Sequence, residues 1–282
     1  MDTIHLLKYS TTNTYLIRGR GGYLLLDTGW AGTLPAFYRA LGDLKVAAQE
    51  IRYVLITHYH PDHMGIAQDI TETGAQLVIV DVQKNFVHGS DAIFAKEPRI
   101  PFAPIEEDRV RVITCEESRA FLKDFGIEGE ILHSPGHSDD SISLWLDEGA
   151  LFVGDLNPLY EREMHLGTQI DATWEMLLAK KPKTVYYGHA KPAELKADEA
   201  AEASGRTNLE SKTTQATDKT DPRLYTLVGR IMKYIDKGMN LQKIVKKTGA
   251  DATFVEDVAR MYLTHTNVGV QGILDRIEIK GK

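Results

Sequence analysis

The chain has 282 residues, 43% of them hydrophobic and 26% charged, a composition that excludes collagenous and wholly disordered classes and leaves room for about two domains. The formal net charge of −7 gives no reason to expect nucleic acid as the main partner. That average hides a split: residues 1–195 hold 18 Lys+Arg against 28 Asp+Glu, residues 196–222 hold 4 against 6, and residues 223–282 hold 11 against 6.

One cysteine, Cys115, excludes an intramolecular disulfide and a cysteine-based zinc site, and it reads as a buried or incidental thiol. Met1 to Arg18 shows no basic cluster followed by an apolar core, and no apolar run reaches the ~18–20 residues needed to span a bilayer. The expectation is a cytoplasmic protein with no membrane partner.

In chain order, Asn13–Arg18 and Tyr23–Leu26 read as a hairpin joined through the glycines of residues 19–22. Leu24-Leu25-Leu26 is an apolar run that ends in Asp27-Thr28-Gly29, as a buried strand feeding a turn would. Residues 33–48 carry Leu34, Phe37, Leu41 and Leu44 at helical spacing. Tyr53–Thr57 predicts a strand, residues 64–73 a helix and Leu77–Val80 a strand. Residues 82–105, with Pro98, Pro101 and Pro104, predict a long irregular loop, and its Phe86, Phe94 and Phe102 either cover a site or pack the loop down. Further strands are expected at Val110–Ile113, Glu130–Ser134, Ile142–Leu146, Leu151–Val153 and Thr184–Tyr187, which together give a layered α/β protein. Residues 196–222 read as a polar linker, and residues 223–237 and 241–264 as two or three amphipathic helices.

His58-Tyr59-His60-Pro61-Asp62-His63 follows an apolar strand and packs three imidazoles and a carboxylate into six residues. These are borderline ligands suited to zinc, though imidazole and carboxylate also accept manganese and iron. In an extended segment His58 and His60 share a side, while Asp62 and His63 swing to a neighbouring position. Ser134-Pro135-Gly136-His137, Phe152-Val153-Gly154-Asp155 and Tyr186-Tyr187-Gly188-His189 each place a further donor after a strand and a glycine. One ion cannot easily take four ligands from so short a loop. Two adjacent divalent ions can, if these distant segments complete both sites.

In order, His58, His60, Asp62, His63, His137, Asp155 and His189 resemble the metal-binding pattern of the metallo-β-lactamase-fold hydrolases over roughly residues 1–195. The resemblance implies an αββα sandwich with a small C-terminal helical region and a dinuclear centre along one edge. It implies that His58, His60 and His137 hold one ion, that Asp62, His63 and His189 hold the other, and that Asp155 bridges them. Asp27 resembles the family's supporting strand-end acid. The implied chemistry is attack by a metal-held hydroxide on an ester, thioester, lactone or phosphoester of a small-molecule substrate, with Asp62 orienting the nucleophile or shuttling a proton.

Departures narrow the family. True β-lactamases of this fold lack the bridging acid, which this chain has as Asp155. Acyl-homoserine lactonases carry a tyrosine three residues after that acid, where this chain has Pro158 and then Tyr160. Hydroxyacylglutathione hydrolases end the first motif in Gly-Gly, where this chain has Gly65-Ile66. Flavin-linked diiron reductases carry glutamate in place of His60. Mononuclear iron persulfide dioxygenases and phosphodiesterases remain open. Around the metals, Tyr59, Met64, Asn157 and Tyr160 are the expected substrate contacts.

The tail segment Leu241–Val258 resembles a helix-turn-helix with Lys243, Lys246 and Lys247 exposed. Its readings are nucleic-acid binding, in a regulator whose metal domain senses a ligand, or a helical hairpin that docks on the sandwich or forms a homodimer interface.

Overall fold

The computed structural model describes residues 4–195, 222–237, 239–252, 254–255, 258–259 and 262. The linker expected over 196–222 and the end of the chain lie outside the described residues, Pro222 excepted. The chain divides into two compact units, Met1–Asn208 and Leu209–Lys282.

The first unit holds two sheets. In one, β1 (Ile4–Leu7), β2 (Thr14–Gly19) and β3 (Gly22–Leu26) pair antiparallel, and β4 (Ile51–Leu55), β5 (Gln76–Val80) and β6 (Arg111–Ile113) continue from β3 in parallel. The other runs β11 (Ala193–Glu194), β10 (Thr184–Tyr186), β9 (Ala150–Phe152), β8 (Ile142–Leu146) and β7 (Gly129–His133), with β9 and β10 parallel and the other pairs antiparallel.

Side chains alternate across a strand, so a strand buried on both faces must be apolar throughout. Leu24 and Leu26 point into the core between the sheets, where they meet Leu144, Leu146 and Phe152, while Leu25 points outward with Leu16, Leu77 and Ile79. That outer face is covered by Phe37 and Leu41 of α1 (Leu34–Asp43) and by Ala67 and Ile70 of a short helix, Ala67–Thr71. The second sheet turns Trp145, Leu151 and Val185 outward onto Trp174, Leu177 and Leu178 of a helix spanning Gln169–Leu178. Helix, sheet, sheet, helix: the layers are those of the metallo-β-lactamase sandwich.

Several expectations are corrected in detail. The helix of residues 33–48 ends at Asp43, because Lys45 takes a left-handed conformation (φ 57°) and the Val46 amide bonds back to the Leu41 carbonyl. The helix expected over 64–73 is two short ones, Pro61–Met64 and Ala67–Thr71, broken where the Gly65 amide donates to the Gly29 carbonyl. Residues 82–105 are partly helical, with a 3-10 turn at Asp81–Phe86 and a helix at Asp91–Phe94. Helices at Cys115–Asp124 and Gln169–Leu178 add to the expected elements. The first is signalled by Thr114-x-x-Glu117, a capping box in which Thr114 Oγ1 accepts from the Glu117 amide at 3.2 Å and Glu117 returns a carboxylate to the Thr114 amide at 2.9 Å.

The second unit contains helices Pro222–Asp236 and Leu241–Thr248, which share a core of Val228, Ile231, Ile244, Val255 and Val258. Among the described residues no helix is long and apolar enough to cross a membrane.

Trp174 is fully buried and donates its indole N–H to the Asn157 carbonyl at 2.8 Å, joining the outer helix to the loop that follows β9. Trp174→Ala should cost about 3–5 kcal/mol in a urea unfolding experiment, because both the aromatic volume and a buried hydrogen bond are lost.

Candidate metal centre

Parallel pairing decides where the chemistry sits. Leu26 of β3 pairs with Leu55 of β4, so Asp27 and Thr57 emerge side by side at the carboxyl ends of those strands. Phe152 of β9 pairs with Tyr186 of β10, so Asp155 and His189 each appear three residues beyond a paired position. β7 runs antiparallel to β8, as β9 does, and so delivers His137 from the same edge. The Ile142 amide donates to the Thr57 carbonyl at 2.9 Å and fastens the two sheets together there.

At this edge the seven donors fall into two groups that could each hold a metal ion, His58/His60/His137 and Asp62/His63/Asp155/His189, with the ligand atoms of each group within 4.8 Å of one another. In the first group, His60 Nδ1 lies 3.1 Å from His58 Nε2 and 3.0 Å from His137 Nε2. In the second, His189 Nε2 lies 3.0 Å from Asp62 Oδ2 and 3.3 Å from Asp155 Oδ2, and His63 Nε2 lies 3.2 Å from Asp155 Oδ1. Asp155 Oδ2 is also 3.9 Å from His137 Nε2, which puts this carboxylate between the groups.

The donors fit a cation. His63 Nε2 and Asp155 Oδ1 are buried and neither makes a hydrogen bond, a costly condition for a nitrogen and an oxygen that face each other. The histidines are also pre-set as ligands. His63 Nδ1 faces Asp27 Oδ2 at 2.9 Å, and His189 Nδ1 faces the Thr11 carbonyl at 3.1 Å. Each of these nitrogens carries a proton, so it is Nε2 that turns into the site and is left to bind once its own proton is released. Thr57 Oγ1 donates to Asp27 Oδ2 at 2.9 Å, which leaves it to accept from His58 Nδ1 at 3.2 Å and fixes that ring the same way. One carboxylate therefore sets a histidine in each group.

Electrostatics separates the groups. Burial and the neighbouring His63 and His137 hold the His58 imidazole well below its ordinary pKa, and burial with His63 does the same to His60, so these rings stay neutral. In the metal-free second group burial opposes charge on His63 and His189, but the surrounding carboxylates win. Asp155, Asp27 and Asp62 push His63 up, and Asp155 and Asp62 raise His189 to about 10. Against burial, His63 and His189 in turn hold Asp155 well below the usual carboxylate range and Asp62 somewhat below it.

Two glycines admit the approach. A Cβ on Gly188 would overlap Asp155 Oδ1, and one on Gly65 would overlap the Ala31 amide; both are close-packing requirements, since neither residue has a positive φ.

Two of the expected substrate contacts are placed in the core. Tyr59 (3% exposed) and Met64 (1% exposed) lie in the core on the helix-covered face of the first sheet, not in the site. Phe94 belongs to that same core and stacks on Phe102 at 4.2 Å, and Phe86 packs there too, so these rings hold their loop to the sandwich. Asn157 is buried and donates to Glu161 Oε2 at 2.9 Å, whereas Tyr160 is 61% exposed.

Supporting residues escape a reading of the sequence. Asn13 Nδ2 donates to the Tyr187 and Ala190 carbonyls at 2.9 and 2.8 Å, gripping the loop that carries His189. Thr12 Oγ1 donates to the Asp62 carbonyl at 2.6 Å, and Asp140 Oδ2 accepts from the Tyr59 amide at 2.7 Å. Nothing in their spacing announces them, because each acts across a large separation in the chain. Thr57 has a signal: a hydroxyl at the end of an apolar strand, directly before the first histidine.

The sequence profile of the metallo-beta-lactamase superfamily matches residues 8–189, and the chain belongs to that superfamily. It is 29% identical over 188 residues to a beta-lactamase-like protein 2 homolog of Drosophila melanogaster, covering 63% of this chain and 58% of that one. It is 29% identical over 169 residues to the lactamase-like protein nscB of Trichophyton rubrum, covering 58% and 45%. The chain thus spans about half the length of these curated relatives. Among solved structures, a metallo-beta-lactamase family protein of Thermus thermophilus superimposes with a TM-score of 0.56 at 17% identity, covering 100% of this chain and 95% of that one. The subclass B3 metallo-beta-lactamase BJP-1 of Bradyrhizobium japonicum gives 0.51 at 21% identity, covering 72% and 87%. Family and donor set together define a metallo-beta-lactamase superfamily chain whose His/Asp cluster could hold metal ions.

Asp27 has φ 62°, a conformation asparagine tolerates well, so Asp27→Asn isolates the hydrogen bonding from the backbone. This variant should fold and lose about 10–100-fold in metal affinity, measured by competition with a chromogenic chelator. Unchanged affinity would remove Asp27 from its supporting role.

Proposed function

We propose that the protein is a dinuclear metallohydrolase, with zinc as the resident metal, acting on an ester, thioester, lactone or phosphoester. The observation that carries this reading is the position of Asp155, with one carboxylate oxygen 3.3 Å from His189 Nε2 and 3.9 Å from His137 Nε2. His58, His60 and His137 would hold one ion and Asp62, His63 and His189 the other, with Asp155 available to both. When bound, the ions supply Lewis acidity and lower the pKa of water to about 7. The protein's own part is positional. The hydrogen bonds that Thr57, Asp27 and the Thr11 carbonyl accept from the ring Nδ1 atoms hold the rings in the liganding orientation, and burial of the three-histidine group helps keep competing protons off it. Asp62 orients the attacking water and passes a proton to the leaving group. Exposed Tyr160 contacts the substrate, while Asn157 braces the loop beneath it.

A hydroxyacylglutathione hydrolase- or lactonase-like substrate suits this reading, which is supported by the bridging acid and the family. Another structural neighbour, TTHA1623, was solved in a di-iron-bound form, so metal identity belongs in the test. Elemental analysis should find two divalent ions per chain, and a screen of thioesters, lactones and phosphodiesters should find turnover. Asp155→Ala should lose the second ion and most of the activity. A single iron per chain with oxygen consumption on a persulfide would overturn the proposal.

A pH signature follows from the same charges. In the metal-free protein His63 and His189 are protonated near neutrality, and loading the second group must release those protons. Affinity there should rise as pH increases from about 7 towards the His189 value of about 10. The neutral three-histidine group should show little change over that range. Calorimetry in buffers of different ionisation enthalpy measures the released protons, and a pH-independent second step would contradict the assignment.

A further inference from the structure

The second unit carries a surface that the metal centre does not use. Between residues 230 and 247 the chain places six cations, Arg230, Lys233, Lys237, Lys243, Lys246 and Lys247, and one carboxylate, Asp236. All six cationic side chains are exposed. Their positions follow from the unit's small core. Arg230, Lys233 and Lys246 each stand two residues after a fully buried side chain, Val228, Ile231 and Ile244, and so lie about 200° round the helix from it. Arg230 and Lys233 are three apart and share one face of the first helix, with Lys237 directly after its end, as Lys243, Lys246 and Lys247 share one side of the second.

The two rows are held in one unit. The Met239 amide bonds back to the Tyr234 carbonyl at 3.1 Å and closes the turn between the helices. Asn240 caps the second helix by accepting from the Lys243 amide at 2.9 Å, and Gly249 ends it in a left-handed conformation. Lys247 Nζ stands 5.8 Å over the Tyr234 ring, so an aromatic, partly exposed, sits between the rows.

We propose that this face binds the phosphodiester backbone of a nucleic acid without reading its sequence. Rows of cations along two connected helices match the repeating charge of a polynucleotide, and an aromatic between them offers a surface on which a base can stack. An anionic bilayer fits less well, because binding in that interface needs large apolar residues beside the lysines. Among the described residues of this unit, the exposed large hydrophobic is Leu241 alone.

The test uses the full-length, metal-loaded protein and fluorescence anisotropy with labelled duplex DNA and labelled single-stranded RNA. Vesicles containing phosphatidylserine form a third arm. Binding to at least one polynucleotide is expected, and if all six cations engage, affinity should fall by about three orders of magnitude between roughly 50 and roughly 200 mM salt. The triple variant K233E/K243E/K246E should weaken binding at least about tenfold and flatten that salt dependence, with metal content unchanged. The neutral version, K233Q/K243Q/K246Q, gives the same readout should charge reversal disturb folding. The two polynucleotide arms decide which nucleic acid is preferred. No polynucleotide binding at low salt, binding that both variants leave intact, or binding to the vesicles alone would each overturn the proposal.

Discussion

The carboxylate of Asp27 is the point on which the metal-binding edge depends. It accepts from the Thr57 amide at 2.7 Å, from Thr57 Oγ1 at 2.9 Å and from His63 Nδ1 at 2.9 Å, and so joins the end of β3 to the ligand loop after β4. The residue takes the left-handed conformation, unusual for a side chain other than glycine, asparagine or aspartate. That conformation turns the chain sharply at the end of the strand, and the buried carboxylate then orients the ligand histidines of both donor groups. A neutral or longer side chain there would leave the rings free to present the wrong nitrogen.

Around this anchor the protein collects charge that a sandwich core would ordinarily reject. Three carboxylates, Asp27, Asp62 and Asp155, lie among five imidazoles at one edge, much of it closed to solvent. Without a cation, the acids hold protons on His63 and His189 while the other donor group stays neutral. The separation has a plain cause: every carboxylate oxygen of the donor set belongs to the second group, and on the first, burial and the neighbouring imidazoles outweigh the pull of those acids. The two groups therefore differ in charge before any ion arrives, although the loop after β4 supplies two donors to each.

The charge split along the chain takes on meaning here. Some acids of the −10 body face the metal edge and not solvent, so formal charge overstates how anionic that edge is once cations are held. The basic residues of the tail sit on a separate compact unit, outside the core that unites Val228, Ile231 and Ile244.

Much of this was legible in the sequence. The unbroken apolar runs at Leu24–Leu26 and Leu77–Val80 mark strands buried on both faces, and the donors announce themselves because each follows such a strand and, in three cases, a glycine. A capping box makes the helix at Cys115–Asp124 readable too, although its apolar face alone is too sparse to announce it. The sequence by itself determined which residue types stand at strand ends, since local alternation and turn chemistry are properties of neighbouring residues. Only the tertiary structure decided which ends meet. The parallel pairing of β3 with β4 and of β9 with β10 brings Asp27 to Thr57 and Asp155 to His189, and the closeness of Gly188 to Asp155 admits the approach. The same packing turned Tyr59 and Met64 into core. Their neighbours along the chain are ligands, but a side chain's surroundings are set by the sheets and helices packed over it, and those come from distant parts of the sequence.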